Sequence, residues 1–265
     1  MKYAIIAAGE GSRLASEGIG EPKPLVRING EPLVDRLIRV FMDNNATEIL
    51  VICNNLTPLV SDHLALIQRQ GLSGQRVPLR YVVKTTPSSM HSFYELSSLM
   101  DKEPFVLTTV DTIFREDDFR RYVEHFTKSI AATGGAQHSS SNNGENGIDG
   151  LMGVTDFIDD EKPLYVGTDA EMNITGFYDS YESLRKNEGT QVATTPTYIS
   201  GGIYGLTAPA LRTLNGCMVR GESRMRNYQR ALIRDGLRLK AFAFSKVLDI
   251  DHASDIAKAE AFLCG

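Results

Sequence analysis

The sequence predicts an α/β fold, a three-layer α/β/α arrangement around a Rossmann-like mixed sheet. Three observations carry that expectation. Short apolar runs at Lys2 to Ala8, Glu48 to Cys53, Leu79 to Val83 and Phe105 to Val110 have the length and continuity of strands buried on both faces. Stretches with helical periodicity lie between them, and strict alternation of strand and helix is the pattern of a parallel sheet covered on both sides. No linker or internal repeat divides the 265 residues, so one domain is expected over 1–265, with halves at about 1–130 and about 150–265.

Taken in order, the first run, YAIIAA, ends at once in Gly9, Glu10 and Arg13, so it reads as a buried strand and neither as a signal peptide nor as a membrane span. Leu33, Leu37, Val40 and Phe41 recur at helical spacing after Pro32, which suits a first-turn position. Leu59, His63, Leu64 and Ile67 repeat the pattern. Ser88 or Ser89 is a candidate cap for a helix running to about Leu99. Gly134 to Gly150 is rich in Gly, Ser and Asn and predicts a mobile surface loop. Beyond it, Leu151 to Phe157, Leu164 to Gly167, Ile174 to Tyr178 and Tyr198 to Leu206 read as further strands and hairpins. A helix over about Ser223 to Asp235, a strand over about Phe242 to Ile250 and a helix over Ala253 to Leu263 close the chain.

Composition narrows the function. Hydrophobic residues make 42% and charged residues 23%, as in globular proteins. Twenty-eight basic against 33 acidic residues leave a net charge of −5, which argues against a broad footprint for nucleic acid or anionic lipid. Any bound anion must be caught locally. Cys53, Cys217 and Cys264 lack disulfide-framework or zinc spacing, and a reducing cytoplasm fits that usage. His63, His91, His125 and His138 show no metal spacing.

The turn after the first strand, AAGEGSRL, carries the chemistry. Gly9 and Gly11 allow backbone amides to face phosphate oxygens without an intervening side chain. The segment does not complete a dinucleotide fingerprint, because Leu14 stands where the third small residue belongs and no acid ends the second strand. No Gly-Lys-Ser/Thr ending is present, which removes the P-loop reading. Arg13 lies in the turn, and Lys23 follows between Pro22 and Pro24, which stiffen the chain around it. Two fixed cations beside a glycine turn suit a triphosphate. An ordinary strand-to-helix turn with solvated basic residues is the competing reading.

Acids are placed to join them. Asp111 follows the run FVLTTV and should emerge at the carboxyl end of the fourth strand, while Asp249 and Asp251 occur at the end of the last strand with period-two spacing. In a parallel sheet those ends share one edge, outside which ligands bind. Magnesium takes one or two carboxylates with phosphate and water oxygens, and two aspartates meet that need. His252 is a poor magnesium ligand. Asp251 also suits an N-cap of the final helix, with Asp255 in its first turn.

The motif Ala7-Ala8-Gly9-Glu10-Gly11-Ser12-Arg13-Leu14, followed by Pro22-Lys23-Pro24-Leu25, resembles the N-terminal signature of the nucleotidyltransferases that activate sugar phosphates and related phosphomonoesters. The resemblance implies the nucleotide-diphospho-sugar transferase fold, with a nucleotide-binding first half and a substrate-binding second half. It implies nucleotide contacts from Ala7, Ala8, Gly9, Gly11 and Ser12, and catalytic roles for Arg13 and Lys23; Ser88 and Ser89 are further candidate nucleotide contacts because they precede a helix whose N-terminus favours anions. Val110-Asp111-Thr112 and Asp251-His252-Ala253-Ser254-Asp255 stand where the family carries its magnesium ligands, which assigns Mg2+ to Asp111 and Asp251, with Asp249 as substitute for the latter. Gly201 and Gly202, in a glycine-bearing strand, are placed by resemblance at the second substrate, and a bulge is the plain alternative.

Two family features are missing. Ser180 follows Ile174-Thr175-Gly176-Phe177-Tyr178-Asp179 where sugar-phosphate members carry a Glu-Lys pair. The glycine-rich base-recognition turn is replaced by Thr85-Thr86-Pro87-Ser88-Ser89-Met90-His91-Ser92, which looks closer to members that act on an alcohol phosphate such as phosphocholine. Arg226, Arg230 and Arg234 form an i, i+4 stripe read as a solvated face. The expected reaction couples a nucleoside triphosphate to a sugar or small alcohol phosphate with release of pyrophosphate, and it is compatible with an oligomer. A glycosyltransferase consuming a nucleotide sugar and a non-catalytic nucleotide sensor are the rival readings.

Overall fold

The computed structural model describes residues 1–101, 103–134, 147–159, 161–188 and 196–264. In chain order the elements are β1 (Lys2–Ala7), α1 (Ser12–Ser16), a 3-10 turn (Lys23–Leu25), β2 (Arg27–Ile28), β3 (Glu31–Pro32), α2 (Leu33–Asp43), β4 (Glu48–Cys53), α3 (Pro58–Gln70), β5 (Leu79–Val83) and α4 (Ser89–Ser97). There follow β6 (Phe105–Thr109), β7 (Thr112–Phe114), α5 (Glu116–Gly134), β8 (Gly150–Thr155), β9 (Tyr165–Thr168), β10 (Ile174–Tyr178) and α6 (Tyr181–Glu188). The chain closes with β11 (Tyr198–Leu206), α7 (Ala208–Val219), α8 (Met225–Arg234), β12 (Leu239–Ala243), β13 (Val247–Asp249) and α9 (Ala253–Cys264).

One nine-stranded mixed sheet takes strands from both halves of the sequence. Its parallel core runs β5-β4-β1-β6, and β11 adds antiparallel to β6. From β11 the sheet branches, to β9 and β10 on one path and to β8 and β12 on the other. Because β4 and β6 lie on opposite sides of β1, the chain reverses its direction of winding there. The carboxyl ends of β1 and β6 flank that switch point, where the fold opens a crevice.

The pleat divides the core in two. Tyr3, Ile5 and Ala7 of β1 face one apolar cluster and Ala4, Ile6 and Ala8 face the other, as a period of two requires. The first cluster is roofed by α2, α3, α5 and α9, and the second by α4, α7 and α8, which completes three layers. The predicted strands at 48–53, 79–83, 174–178 and 198–206 match their observed bounds.

Several expectations are corrected. Pro32 pairs in β3 and occupies the N-cap of α2, one position before the first turn. In α3 the buried face is Val60, Leu64 and Ile67, whereas Leu59 is 55% exposed; Thr57 caps the helix, its Oγ1 accepting from Leu59 N at 3.2 Å. The single strand read over 242–250 is two strands in different sheets. β12 pairs with β8 and β13 with β7, and the break at Ser245 is held by Asp118, which accepts from Ser245 N at 3.0 Å and Oγ at 2.5 Å. Of the loop read at 134–150, residues 135–146 lie outside the described residues, Gly134 ends α5 and Gly150 opens β8. His138 falls in that same stretch.

Candidate active site

Gly11 sets the local geometry of the glycine turn. It sits at the N-cap of α1 with φ +64°, in the left-handed region, and a Cβ there would come within 3.1 Å of Lys23 Cβ. The turn and the Pro22-Lys23-Pro24 segment therefore pack directly on each other. Lys23, its side chain 11% exposed, reaches from the 3-10 turn to the carboxylates of Asp111 and Asp251, donating to Asp251 Oδ1 at 2.8 Å. Arg13 on α1 donates to the other oxygen of Asp251 at 2.8 Å.

The two acids meet because β7 and β13 form an antiparallel ribbon in which Asp249 pairs with Thr112. Ile250 N then donates to Asp111 O at 3.2 Å, which sets Asp251 beside Asp111. The final helix does not use Asp251 as its cap. Asp255 Oδ2 accepts from the amides of Asp251 and His252 at 3.2 and 2.8 Å, and Glu17 takes Ala253 N at 2.6 Å and His252 Nδ1 at 2.6 Å. The Asp251 carboxylate is thus left to the two cations.

Electrostatics reinforce the cluster. Burial of Lys23 works against its charge, but Asp111 and Asp251 outweigh it and raise its pKa. Burial likewise opposes the charge of Asp251, while the hydrogen bond and charge of Lys23 and the charge of Arg13 prevail and hold its carboxyl below the usual range.

A cleft of about 500 Å³ opens on this cluster. Ala8, Gly9, Gly11, Ser12, Arg13, Lys23, Ser88, Ser89, Asp111 and Asp251 all line it. Ala7 does not: it is 1% exposed and its methyl packs in the core behind the turn, as alternation along β1 requires. Ser88 is the N-cap of α4, its Oγ accepting from His91 N at 3.4 Å and meeting His91 Nδ1 at 2.9 Å, while Ser89 opens the helix.

A second cleft, of about 470 Å³, shares Arg13 and Asp251 with the first. Gly201 and Asp249 line it. Lys23 is hydrogen-bonded to Asp111 and Asp251, whereas Asp249, two residues before Asp251, lines only the second of the two clefts. Gly202 does not line it; with φ +70° it forms the bulge between Ser200 and Ile203 and packs against the hydroxyls of Thr109 and Thr112.

The arginine stripe of α8 is not a solvated face throughout. Arg226 and Arg230 both reach Asp179 at 2.7 Å, and Arg230 Nε donates to Phe177 O at 3.2 Å, pinning α8 to β10; Arg226 also lines the second cleft. Only Arg234, paired with Glu222, is more than half exposed among the three.

Sequence reasoning missed Glu17, which carried no local signal. It also missed Asn54 at the end of β4, which contacts the glycine turn. Among the described residues, no group of three His, Cys, Asp or Glu side chains gathers as a metal cage. Asp111 and Asp251 are the carboxylates brought to one point in the first cleft.

The profile of the MobA-like NTP transferase domain matches residues 3–199. The chain belongs to the MobA-like NTP transferase family. The inositol-1-phosphate CTP transferase of T. maritima superposes on this NTP transferase with a TM-score of 0.67 at 17% identity, covering 99% of this chain and 97% of that one. The CTP:phosphocholine cytidylyltransferase of Streptococcus pneumoniae does so with a TM-score of 0.68 at 15% identity, covering 98% of each. Glucose-1-phosphate cytidylyltransferase of Salmonella typhimurium is 29% identical over 65 residues, 24% of this chain. That match spans 25% of the curated relative's length. No helix among the described residues is long and apolar enough to cross a membrane.

Proposed function

We propose that this protein transfers a nucleotidyl group from a nucleoside triphosphate to a phosphomonoester, a sugar phosphate or a small alcohol phosphate, and releases pyrophosphate. The observation that carries the reading is the junction of the two clefts. Arg13 and Asp251 belong to both, so a triphosphate in the first and a phosphate in the second would meet on one charged wall.

The chemistry needs little from the protein beyond position and charge. A phosphomonoester has a second pKa near about 6 and is mostly dianionic at neutral pH, so its oxygen attacks the α-phosphorus without a general base. The obstacle is repulsion between two polyanions. Lys23 and Arg13 are held where that negative charge accumulates, and fixed cations in a partly enclosed site need no reorganisation during reaction. Ala8, Gly9, Gly11 and Ser12 form the wall that would take the nucleotide. Ser88 and Ser89 offer the N-terminus of α4 to anionic groups. Gly201 lines the second cleft, on the side that would take the acceptor.

Two carboxylates converging on a single cation form a hard-oxygen donor set of the kind magnesium takes. Asp111 and Asp251 would hold Mg2+, which would supply further charge neutralisation at the reacting phosphates. The reading is tested by a matrix of the four ribonucleoside triphosphates against sugar and alcohol phosphates, with pyrophosphate measured with and without magnesium. Pyrophosphate dependent on one triphosphate, one acceptor and the metal is expected. Release of a nucleoside diphosphate from a nucleotide sugar, or no turnover with any pair, would overturn it.

A further inference from the structure

We infer that Asn54 and Asn55, in the turn after β4, are the positioning element that holds the two walls of the nucleotide cleft in register. The inference rests on the nucleotidyl-transfer reading and concerns residues that do not line either cleft. Asn54 is 9% exposed, and its amide is used on both sides. Nδ2 donates to the carbonyls of Ala8 at 3.3 Å and Gly9 at 3.1 Å, while Oδ1 accepts from Leu56 N at 3.2 Å. An amide whose oxygen must face an N–H has its NH2 directed by exclusion, here onto the glycine turn.

The consequence follows from peptide geometry. The described residues contain no cis peptide bond, and in a trans peptide the carbonyl of one residue and the N–H of the next point in opposite directions. Drawing the carbonyls of Ala8 and Gly9 toward Asn54 turns the amides of Gly9 and Glu10 away from it. Gly9 and Glu10 line the cleft and Asn54 does not, so the donors are turned toward the side that would receive the nucleotide.

Asn55 fixes the opposite wall. Its backbone N–H donates to Thr85 Oγ1 at 3.2 Å, and the Thr85 hydroxyl donates in turn to Asn55 Oδ1. Thr86 follows, its Oγ1 bonded to Ser88 O at 3.2 Å and to Ser92 Oγ at 2.6 Å, and Thr86, Ser88 and Ser92 line the cleft. Two adjacent residues therefore tie the glycine turn to the segment 85–89 by hydrogen bonds.

The test is calorimetric binding of each Mg–nucleoside triphosphate to the full chain, with melting midpoints recorded in parallel and the KM for the acceptor measured separately. Asn54→Asp keeps the shape and removes the donor. It is expected to weaken the best-bound triphosphate about tenfold or more. Asn55→Ala and Thr85→Val, at exposed positions, are expected to weaken it about two- to fivefold and carry the test if Asn54→Asp does not fold. The acceptor KM should stay within about twofold, a split that general loss of structure would not produce. Folded variants that bind the triphosphate as tightly as wild type would overturn the inference alone. A wild-type protein that binds none of the four triphosphates would overturn it together with the functional reading.

Discussion

Lys23 lies between Asp111 and Asp251, its ammonium shared by two carboxylates that stand 88 and 228 residues away in sequence. Three segments meet at that nitrogen: the Pro-Lys-Pro turn, the loop after β6 and the loop before α9. The arrangement balances its own charge locally, and it places cations and anions where the phosphates of two substrates would be joined.

Asp111→Asn and Asp251→Asn should each lower kcat/KM by about a hundredfold or more, because each removes half of the carboxylate set. Lys23 retains the other partner in either variant, so folding should survive. Steady-state pyrophosphate release with circular dichroism melts checks both halves of the statement.

The pH dependence should belong to the acceptor. Lys23 has a raised pKa and stays protonated through neutral pH, and Asp251 has a lowered one and stays anionic. Neither titrates where the phosphomonoester does, near about pH 6. The acid limb of kcat/KM for the acceptor should follow the acceptor's second ionisation and move upward with a phosphonate analogue of higher pKa. A limb that ignores the change of acceptor would place the ionisation on the protein.

Gly11→Ala should cost about 1–2 kcal/mol of stability, since φ +64° strains any residue with a Cβ. The new methyl also meets Lys23 Cβ at 3.1 Å, so the lysine must shift. A lower melting midpoint accompanied by a raised KM for the triphosphate is expected. Gly9→Ala meets nothing within 4 Å and should leave the midpoint nearly unchanged.

Far from the site, Asp118 should govern part of the acid stability. Burial opposes its charge, but Ser245 and Arg121 prevail and hold its pKa below the ordinary 3.8. A carboxylate depressed in the folded state stabilises above its unfolded pKa and loses that contribution as pH falls through the folded value. Asp118→Asn should therefore cost about 1–3 kcal/mol at pH 7 and flatten the loss of stability below about pH 4. Urea melts across that range test it.

Which parts of this protein were legible from sequence follows from where their contacts lie. β1, β4 and β6 are interior parallel strands apolar on both faces, so their bounds could be read from composition alone, and β5, the edge strand beside β4, was read from its short apolar run. The glycine turn, Lys23 and Asp111 were legible because strand ends in a parallel sheet share an edge. Helix α5 carried a signal in Phe119, Tyr122, Val123, Phe126 and Ile130 at helical spacing, masked by its charged first turn. The break between β12 and β13 was not legible, since it depends on Asp118, 127 residues from Ser245. Nor was the release of Asp251 from capping, which depends on Glu17 at the other end of the chain. Side chains whose partners are distant leave no periodic trace.

The most direct test of the central claim follows the α-phosphorus. Protein, magnesium, an α-labelled nucleoside triphosphate and the acceptor phosphomonoester are incubated, and the label is traced by chromatography while pyrophosphate is measured. Label should pass into a nucleoside diphosphate-linked product, joined to the acceptor phosphate by a new phosphoanhydride bond, in equal amount to the pyrophosphate formed, in wild type and not in Asp111→Asn. Label that stays in the triphosphate for every acceptor, or an Asp111→Asn protein that transfers it as fast as wild type, would contradict the account.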